Sequence, residues 1–134
     1  MGVVCVSGGF DPVHVGHVRM IQEAAKHGNV TVILNSDEWL KRKKGYVLMP
    51  YEQRAEILYA IKGVVDVVSV DDSGGTVCEA LKRIKPDYFV NGGDRFADNI
   101  PEFKLCQELG IEMLFNVGGE KVASSSELVR AANV

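Results

Sequence analysis

Ser7-Gly8-Gly9-Phe10-Asp11-Pro12-Val13-His14-Val15-Gly16-His17 is the stretch on which the rest of the chain turns. An apolar run, Val3 to Val6, leads into it, and a helical pattern, Val18 to Ala25, follows it. His14 and His17 therefore fall where a loop becomes a helix. That junction presents unsatisfied backbone N–H groups and the positive end of a helix dipole, both suited to phosphate. Gly8, Gly9 and Gly16 are expected to let a ligand approach the backbone closely. Together these features predict a nucleotide-phosphate site built on the first strand of an α/β fold.

Strands and helices alternate outward from this stretch. Gly2–Val6 reads as a strand and Gly16–His27 as a helix with Gly28 as its C-cap. Val30–Leu34 is a buried strand rich in β-branched residues. Residues 38–49 are basic and carry no clear period. Pro50 then opens a helix with Ala55, Leu58 and Ile61 on its apolar face. A strand over Val64–Val70 and a turn over Asp71–Gly75 come next. Thr76 is expected to cap a helix over Val77, Leu81 and Ile84, with Glu79 completing a capping box. Tyr88–Val90 forms a fourth strand, ending in the glycine turn Gly92-Gly93-Asp94-Arg95. A helix from Pro101 to Leu109, a strand over Ile111–Phe115 and a last helix behind Ser124-Ser125-Ser126 complete the chain. This β-α-β-α order predicts a parallel sheet with helices on both faces, whose ligands bind outside the carboxyl ends of the strands.

Composition narrows the class. A chain of 134 residues with 46% hydrophobic content is expected to form one domain, 1–134, with a real core. The net charge of −3 gives no global attraction to nucleic acid. No apolar run reaches membrane-spanning length, and Val3–Val6 is too short for a signal peptide. The three cysteines, Cys5, Cys78 and Cys106, lack zinc spacing and form no evident disulfide framework, which fits a reducing, cytoplasmic setting.

The stretch Gly8 to His17 resembles the Gly-x-Phe-Asp-x-x-His-x-Gly-His signature of the nucleotidyltransferase superfamily that attacks the α-phosphate. Lys41–Lys44 followed by Glu52-Gln53-Arg54 is similar to the family's basic loop and Glu-x-Arg helix, and Ser124–Ser126 to its late Ser/Thr cluster. The nearest branches are glycerol-3-phosphate cytidylyltransferase and heptose-phosphate adenylyltransferase, the latter through Gly92-Gly93-Asp94. Two features depart from the pattern. Ala123 precedes the serines where the family often has Ile, and Gly118-Gly119-Glu120-Lys121 stands where cytidylyl members often carry Arg-Thr-Glu-Gly. The resemblance implies a Rossmann-like five-stranded parallel sheet in the order 3-2-1-4-5. It also implies transfer of CMP or AMP from CTP or ATP to a small phosphorylated alcohol or sugar, with release of pyrophosphate. A homodimer is implied by the resemblance alone. Chain length and the Lys-Lys-Gly-Tyr…Tyr-Glu-Gln-Arg stretch favour CTP slightly, with ATP close behind from Gly92-Gly93-Asp94.

Each candidate carries a plainer alternative. His14 and His17 lie three apart and can share one face of a helical turn, where imidazole N–H groups stabilise charge growing on phosphate oxygens. The alternative is a pair of polar surface histidines. Asp11 with the two histidines also has the composition of a zinc or iron site, but a helix N-terminus repels cations. Mg²⁺ carried by substrate phosphates is the better expectation, with Asp11 and Asp94 as candidate carboxylates. Asp11 serves equally as a residue fixing its own loop. The run Lys41–Lys44 is either a solvated patch or a loop over the triphosphate, with Lys44, or else Lys41, reaching it. Arg54 either touches phosphate or pairs with Glu52 or Glu56. Ser124, Ser125 and Ser126 exceed what one N-cap needs. Gly92, Gly93 and Arg95 line a turn that can approach the base or ribose. Phe10 and Trp39 are anchors of core or loop, with Phe10 the better candidate for ligand contact. The rival from another class is a regulatory module that binds nucleotide without catalysis.

Overall fold

A computed structural model describes residues 2–91 and 101–115. Five strands, β1 (Val3–Gly8), β2 (Asn29–Leu34), β3 (Val64–Ser69), β4 (Tyr88–Asn91) and β5 (Glu112–Phe115), form one parallel sheet in the order β3-β2-β1-β4-β5. The Rossmann-like α/β fold and strand order expected from the sequence are those observed. The helices are α1 (Val15–Ala24), α2 (Asp37–Lys44), α3 (Tyr51–Tyr59), α4 (Cys78–Ile84) and α5 (Pro101–Leu109).

The two-residue period of the strands sorts their side chains into two cores. Val4, Val6, Val30, Val32, Leu34 and Val90 pack with Ile21 and Ala24 of α1 and Leu58 of α3. Cys5, Ile33 and Phe89 turn the other way, onto Ala80 and Leu81 of α4 and Cys106 of α5. Both faces are covered, so β1 and β2 read as nearly continuous apolar runs, interrupted in β2 by the buried Thr31. Ile21 and Leu58 are fully buried, each contributing about 1.5–3 kcal/mol by removal from water. Because β1 lies between β2 and β4, successive connections run outward in opposite directions from it. The crevice at the carboxyl end of β1 is thus the switch point where such sheets bind ligands.

Several local expectations are corrected. The basic run does not lie in a loop: Lys41–Lys44 form the last turn of α2. Ser36 caps that helix by accepting from the Trp39 N–H, Asp37 and Glu38 sit in its first turn, and Gly45 ends it in the left-handed conformation at φ 88°. Acid at the start and base at the end complement the dipole, but only Leu40 is buried, so no apolar stripe announces the helix. Gly28 is not the C-cap of α1, which ends at Ala24 with Ala25 as its cap. Instead a side chain at Gly28 would run into the Gly2 carbonyl, so this glycine allows the close start of β2 beside β1. Thr76 Oγ1 accepts the Cys78 N–H at the start of α4, at 3.4 Å, but Glu79 does not complete a capping box. Val77 holds the cap position of α4, its N–H donates to Glu102, and Glu79 accepts from the Asp71 N–H instead. Among the described residues no helix is long and apolar enough to cross a membrane. The cysteines are free thiols, and burial pushes Cys5 up to about 12 and Cys106 up to about 11.

Candidate active site

β1 delivers the chain at Gly8 into a loop that turns back at Phe10, where φ is 51°, a left-handed conformation costly for a side-chain-bearing residue. The surroundings hold it there. Phe10 is 3% exposed, packs in the α1/α3 core and sets its ring edge-on to His17 at 4.7 Å between centroids. Phe10 is therefore a core anchor under His17.

The loop ends at His14, the N-cap of α1. His14 Nδ1 accepts the Gly16 N–H at 3.1 Å, and His17 Nδ1 accepts the His14 N–H at 3.2 Å. Two orphan amides of the helix start are thereby satisfied by imidazoles. The rings stack at 3.9 Å between centroids. With Nδ1 accepting, each neutral imidazole carries its proton on Nε2. Burial, then the neighbouring His14, then Lys44 hold His17 down from 6.5 to about 3, so it is a neutral donor at ordinary pH.

The glycines serve the chain's own side chains. A Cβ on Gly16 would meet His14 Cε1 at 2.9 Å and Nδ1 at 3.1 Å. A Cβ on Gly9 would stand 2.7 Å from Leu40 Cδ2 and 3.3 Å from Trp39 Cζ3, while one on Gly8 would touch the Phe10 ring at 3.3 Å. These positions admit the capping imidazole, α2 and Phe10 respectively. The close approach that the sequence predicts at all three is made by the chain itself.

Asp11 is fully buried, and its two oxygens accept the N–H groups of Leu48 and Met49, each at 2.7 Å. The carboxylate pins the connection between α2 and α3 onto the histidine loop. With both oxygens engaged by amides and no exposed surface, the Asp11 carboxylate acts as loop architecture, the alternative to a Mg²⁺ ligand that the sequence offers. No group of three or more His, Cys, Asp or Glu among the described residues is arranged to hold a metal. Lys44, at the end of α2, donates from Nζ to the Asp11 carbonyl at 3.0 Å, and desolvation lowers its pKa. Its charge acts on His17, so Lys44 joins the histidines. Its neighbours do not: Lys41 is exposed, Arg42 donates to the Asp72 carbonyl, and Lys43 lies 5.5 Å over the Trp39 ring.

Arg54 is fully buried in α3 and pairs with neither Glu52 nor Glu56. Its guanidinium donates to the carbonyls of Met49 (2.9 Å), Gly9 (2.7 Å) and Asn35 (2.9 Å) and to Asp37 Oδ1 (2.6 Å). It therefore ties segments of the crevice together from beneath. Sequence reasoning missed Asp37 and Asp72. Asp72, beyond β3, accepts from Asn35 Nδ2, Ser36 N and Ser36 Oγ, fixing the start of α2. For Asp37 a signal existed in the Ser36-Asp37-Glu38 helix start. For Asp72, a residue in a turn signal 36 positions beyond Ser36, none did. Gly92, Gly93, Asp94, Arg95, Ser124, Ser125 and Ser126 lie outside the described residues.

The chain is 33% identical over 132 residues to the bifunctional protein HldE of Syntrophotalea carbinolica, covering 95% of this chain and 26% of that protein. It is 40% identical over 97 residues to the FAD synthase of Pyrococcus abyssi, covering 71% and 65% respectively. The chain thus spans about a quarter of the HldE relative and just under two thirds of the FAD synthase. A lipopolysaccharide core biosynthesis protein from Thermoplasma volcanium shares the fold at TM-score 0.69 and 21% identity, over 86% of this chain and 95% of that one. The cytidylyltransferase-like family model matches residues 5–131, from β1 through nearly the end of the chain, and the chain belongs to that family of nucleotidyltransferases.

Proposed function

We propose that this chain transfers AMP from ATP to a small phosphorylated acceptor. An acceptor phosphate oxygen attacks the α-phosphorus in line, the new O–P bond forms as the bond to the β-phosphate oxygen breaks, and pyrophosphate leaves. The observation that carries this is the reciprocal capping of His14 and His17, which leaves His17 a neutral Nε2–H donor at a helix start beside the Lys44 ammonium. Such donors stabilise charge that grows on phosphate oxygens without changing protonation state. Lys44 is assigned to the leaving pyrophosphate, and the positive end of the α1 dipole to the charge of the reacting phosphate. Gly92–Arg95 and Ser124–Ser126 are assigned to the base, ribose and phosphates on the resemblance alone. Divalent cation, Mg²⁺ for example, enters on the nucleotide phosphates. A cytoplasmic homodimer is part of the same proposal.

The choice of ATP is supported by the relatives: a FAD synthase makes a product that contains an adenylyl unit, and Gly92-Gly93-Asp94 resembles the heptose-phosphate adenylyltransferase branch. CTP is the competing donor. Pyrophosphate release with each nucleotide, against a panel of sugar phosphates, glycerol 3-phosphate and FMN, tests both. Turnover with ATP is expected. Turnover with CTP alone overturns the donor assignment. Tight nucleotide binding by thermal shift with no acceptor turned over favours the regulatory module.

A further inference from the structure

We propose that Arg54 is a positioning residue for this site, acting through Asp37, Met49 and Asp11 to fix the Lys44 amine against the histidine loop. The inference rests on the nucleotidyl-transfer proposal for what Lys44 does, but the ring of bonds that supports it stands independently. Arg54 donates to Asp37, the first residue of α2, and Lys44 is the last residue of that helix. Lys44 donates to the Asp11 carbonyl, and the Asp11 carboxylate accepts from Met49 N–H. The Met49 carbonyl accepts from Arg54 Nε, which closes the ring. A further bond runs from Arg54 to the Gly9 carbonyl, two residues before Asp11.

The geometry requires arginine. The guanidinium plane sends donors in three directions to three carbonyls and a carboxylate, which a lysine ammonium on the same stem cannot reproduce. The side chain is 0% exposed, whereas that of Asp37 is 31% exposed. Arg54 therefore cannot meet substrate from its place, and any effect on turnover must pass through the segments it holds. Those segments are the two ends of α2, the connection after it and the histidine loop. A displacement of about 1 Å at a catalytic group is enough to cost about 10²-fold in rate.

The test uses Arg54→Lys and, because a buried charge change risks unfolding, Asp37→Asn, which leaves the guanidinium in place. Amide hydrogen exchange is read at Leu48 and Met49, whose N–H groups donate to Asp11, and at Val6 and Val32 as core references. In folded variants, exchange at Leu48 and Met49 is expected to accelerate at least about tenfold relative to the references. kcat is expected to fall by about 10–100-fold, with a smaller change in KM. Lys44→Ala should cost a smaller factor in the Asp37→Asn background than in the wild type, because the ring is already broken. Unchanged exchange at Leu48 and Met49, acceleration equal to that at Val6 and Val32, or equal Lys44→Ala factors in both backgrounds would overturn the proposal. If the wild type turns over no acceptor, the nucleotidyl-transfer proposal fails, while the exchange at Leu48 and Met49 still decides whether the ring exists.

Discussion

His14 and His17 cap the same helix reciprocally, each Nδ1 taking a backbone N–H, at 3.1 Å from Gly16 and 3.2 Å from His14. Capping and chemistry are thus joined in one pair of side chains: the bond that stabilises α1 also sets the tautomer. His17→Ala is expected to lower kcat by about 10²–10³-fold, the scale for one lost transition-state donor. His14→Ala also removes the N-cap acceptor and should cost about 1 kcal/mol in denaturant unfolding. An unchanged kcat for His17→Ala would remove His17 from the chemistry.

Gly16→Ala separates the two roles of this turn. Alanine raises helix propensity by up to about 1 kcal/mol. Its methyl, however, would stand 2.9 Å from His14 Cε1, so the imidazole must shift. The expected result is a melting temperature near or above that of the wild type with a clearly reduced kcat. A variant that keeps full activity would show that the His14 ring position is not critical.

The depressed His17 pKa has a definite sign in stability. The unfolded chain takes up the His17 proton below about 6.5, the folded chain only at about 3. Between these values the unfolded state holds more protons, so stability falls as pH falls, by up to about 1.4 kcal/mol per pH unit. Above 6.5 the contribution is fully present. Asp72 acts in a lower window. Burial raises its pKa, but the bonds from Ser36 and Asn35 outweigh this and hold it below 3.8, so its loss begins only as pH drops through that value. Denaturant unfolding at pH 7, 5.5 and 4.5 of the wild type and His17→Gln checks the first window, with a flatter profile expected for the variant. Parallel profiles would contradict a buried neutral His17.

The sequence carried the fold well because β1 and β2 are apolar on both faces and their connections end in glycine, proline or capping signals. It carried the histidine loop because residue type and spacing there are chemically specific. It misread α2, whose stability comes from the Ser36 cap, charge order and the Gly45 C-cap, with Leu40 alone buried. It also misread Arg54, an arginine in a basic and acidic neighbourhood that binds the nearby Met49 carbonyl and, from distant segments, Gly9, Asn35 and Asp37. Such partners converge only after the sheet has aligned the ends of β1 and β2, and no local pattern encodes them. At Gly9 and Gly16 the bare backbone that the sequence marks for close approach is met by Leu40 and His14 of the chain itself.

Asp11 offers the last test, because its carboxylate can be assigned to metal or to loop architecture and the two assignments predict different data. Both oxygens accept backbone N–H groups at 2.7 Å inside a fully buried site. Asp11→Asn removes the charge and turns one acceptor into a donor facing an amide. Loss of one charge-assisted hydrogen bond costs about 1.5–3 kcal/mol, and unfolding free energy should drop on that scale. kcat should fall as well, since the connection carrying Leu48 and Met49 is released from the histidine loop. The concentration of Mg²⁺ giving half-maximal rate should stay within about twofold of the wild type, because a metal carried by nucleotide phosphates does not depend on this carboxylate. A Mg²⁺ requirement raised tenfold or more, with stability unchanged, would instead make Asp11 a metal ligand and return the loop-pinning role to other residues.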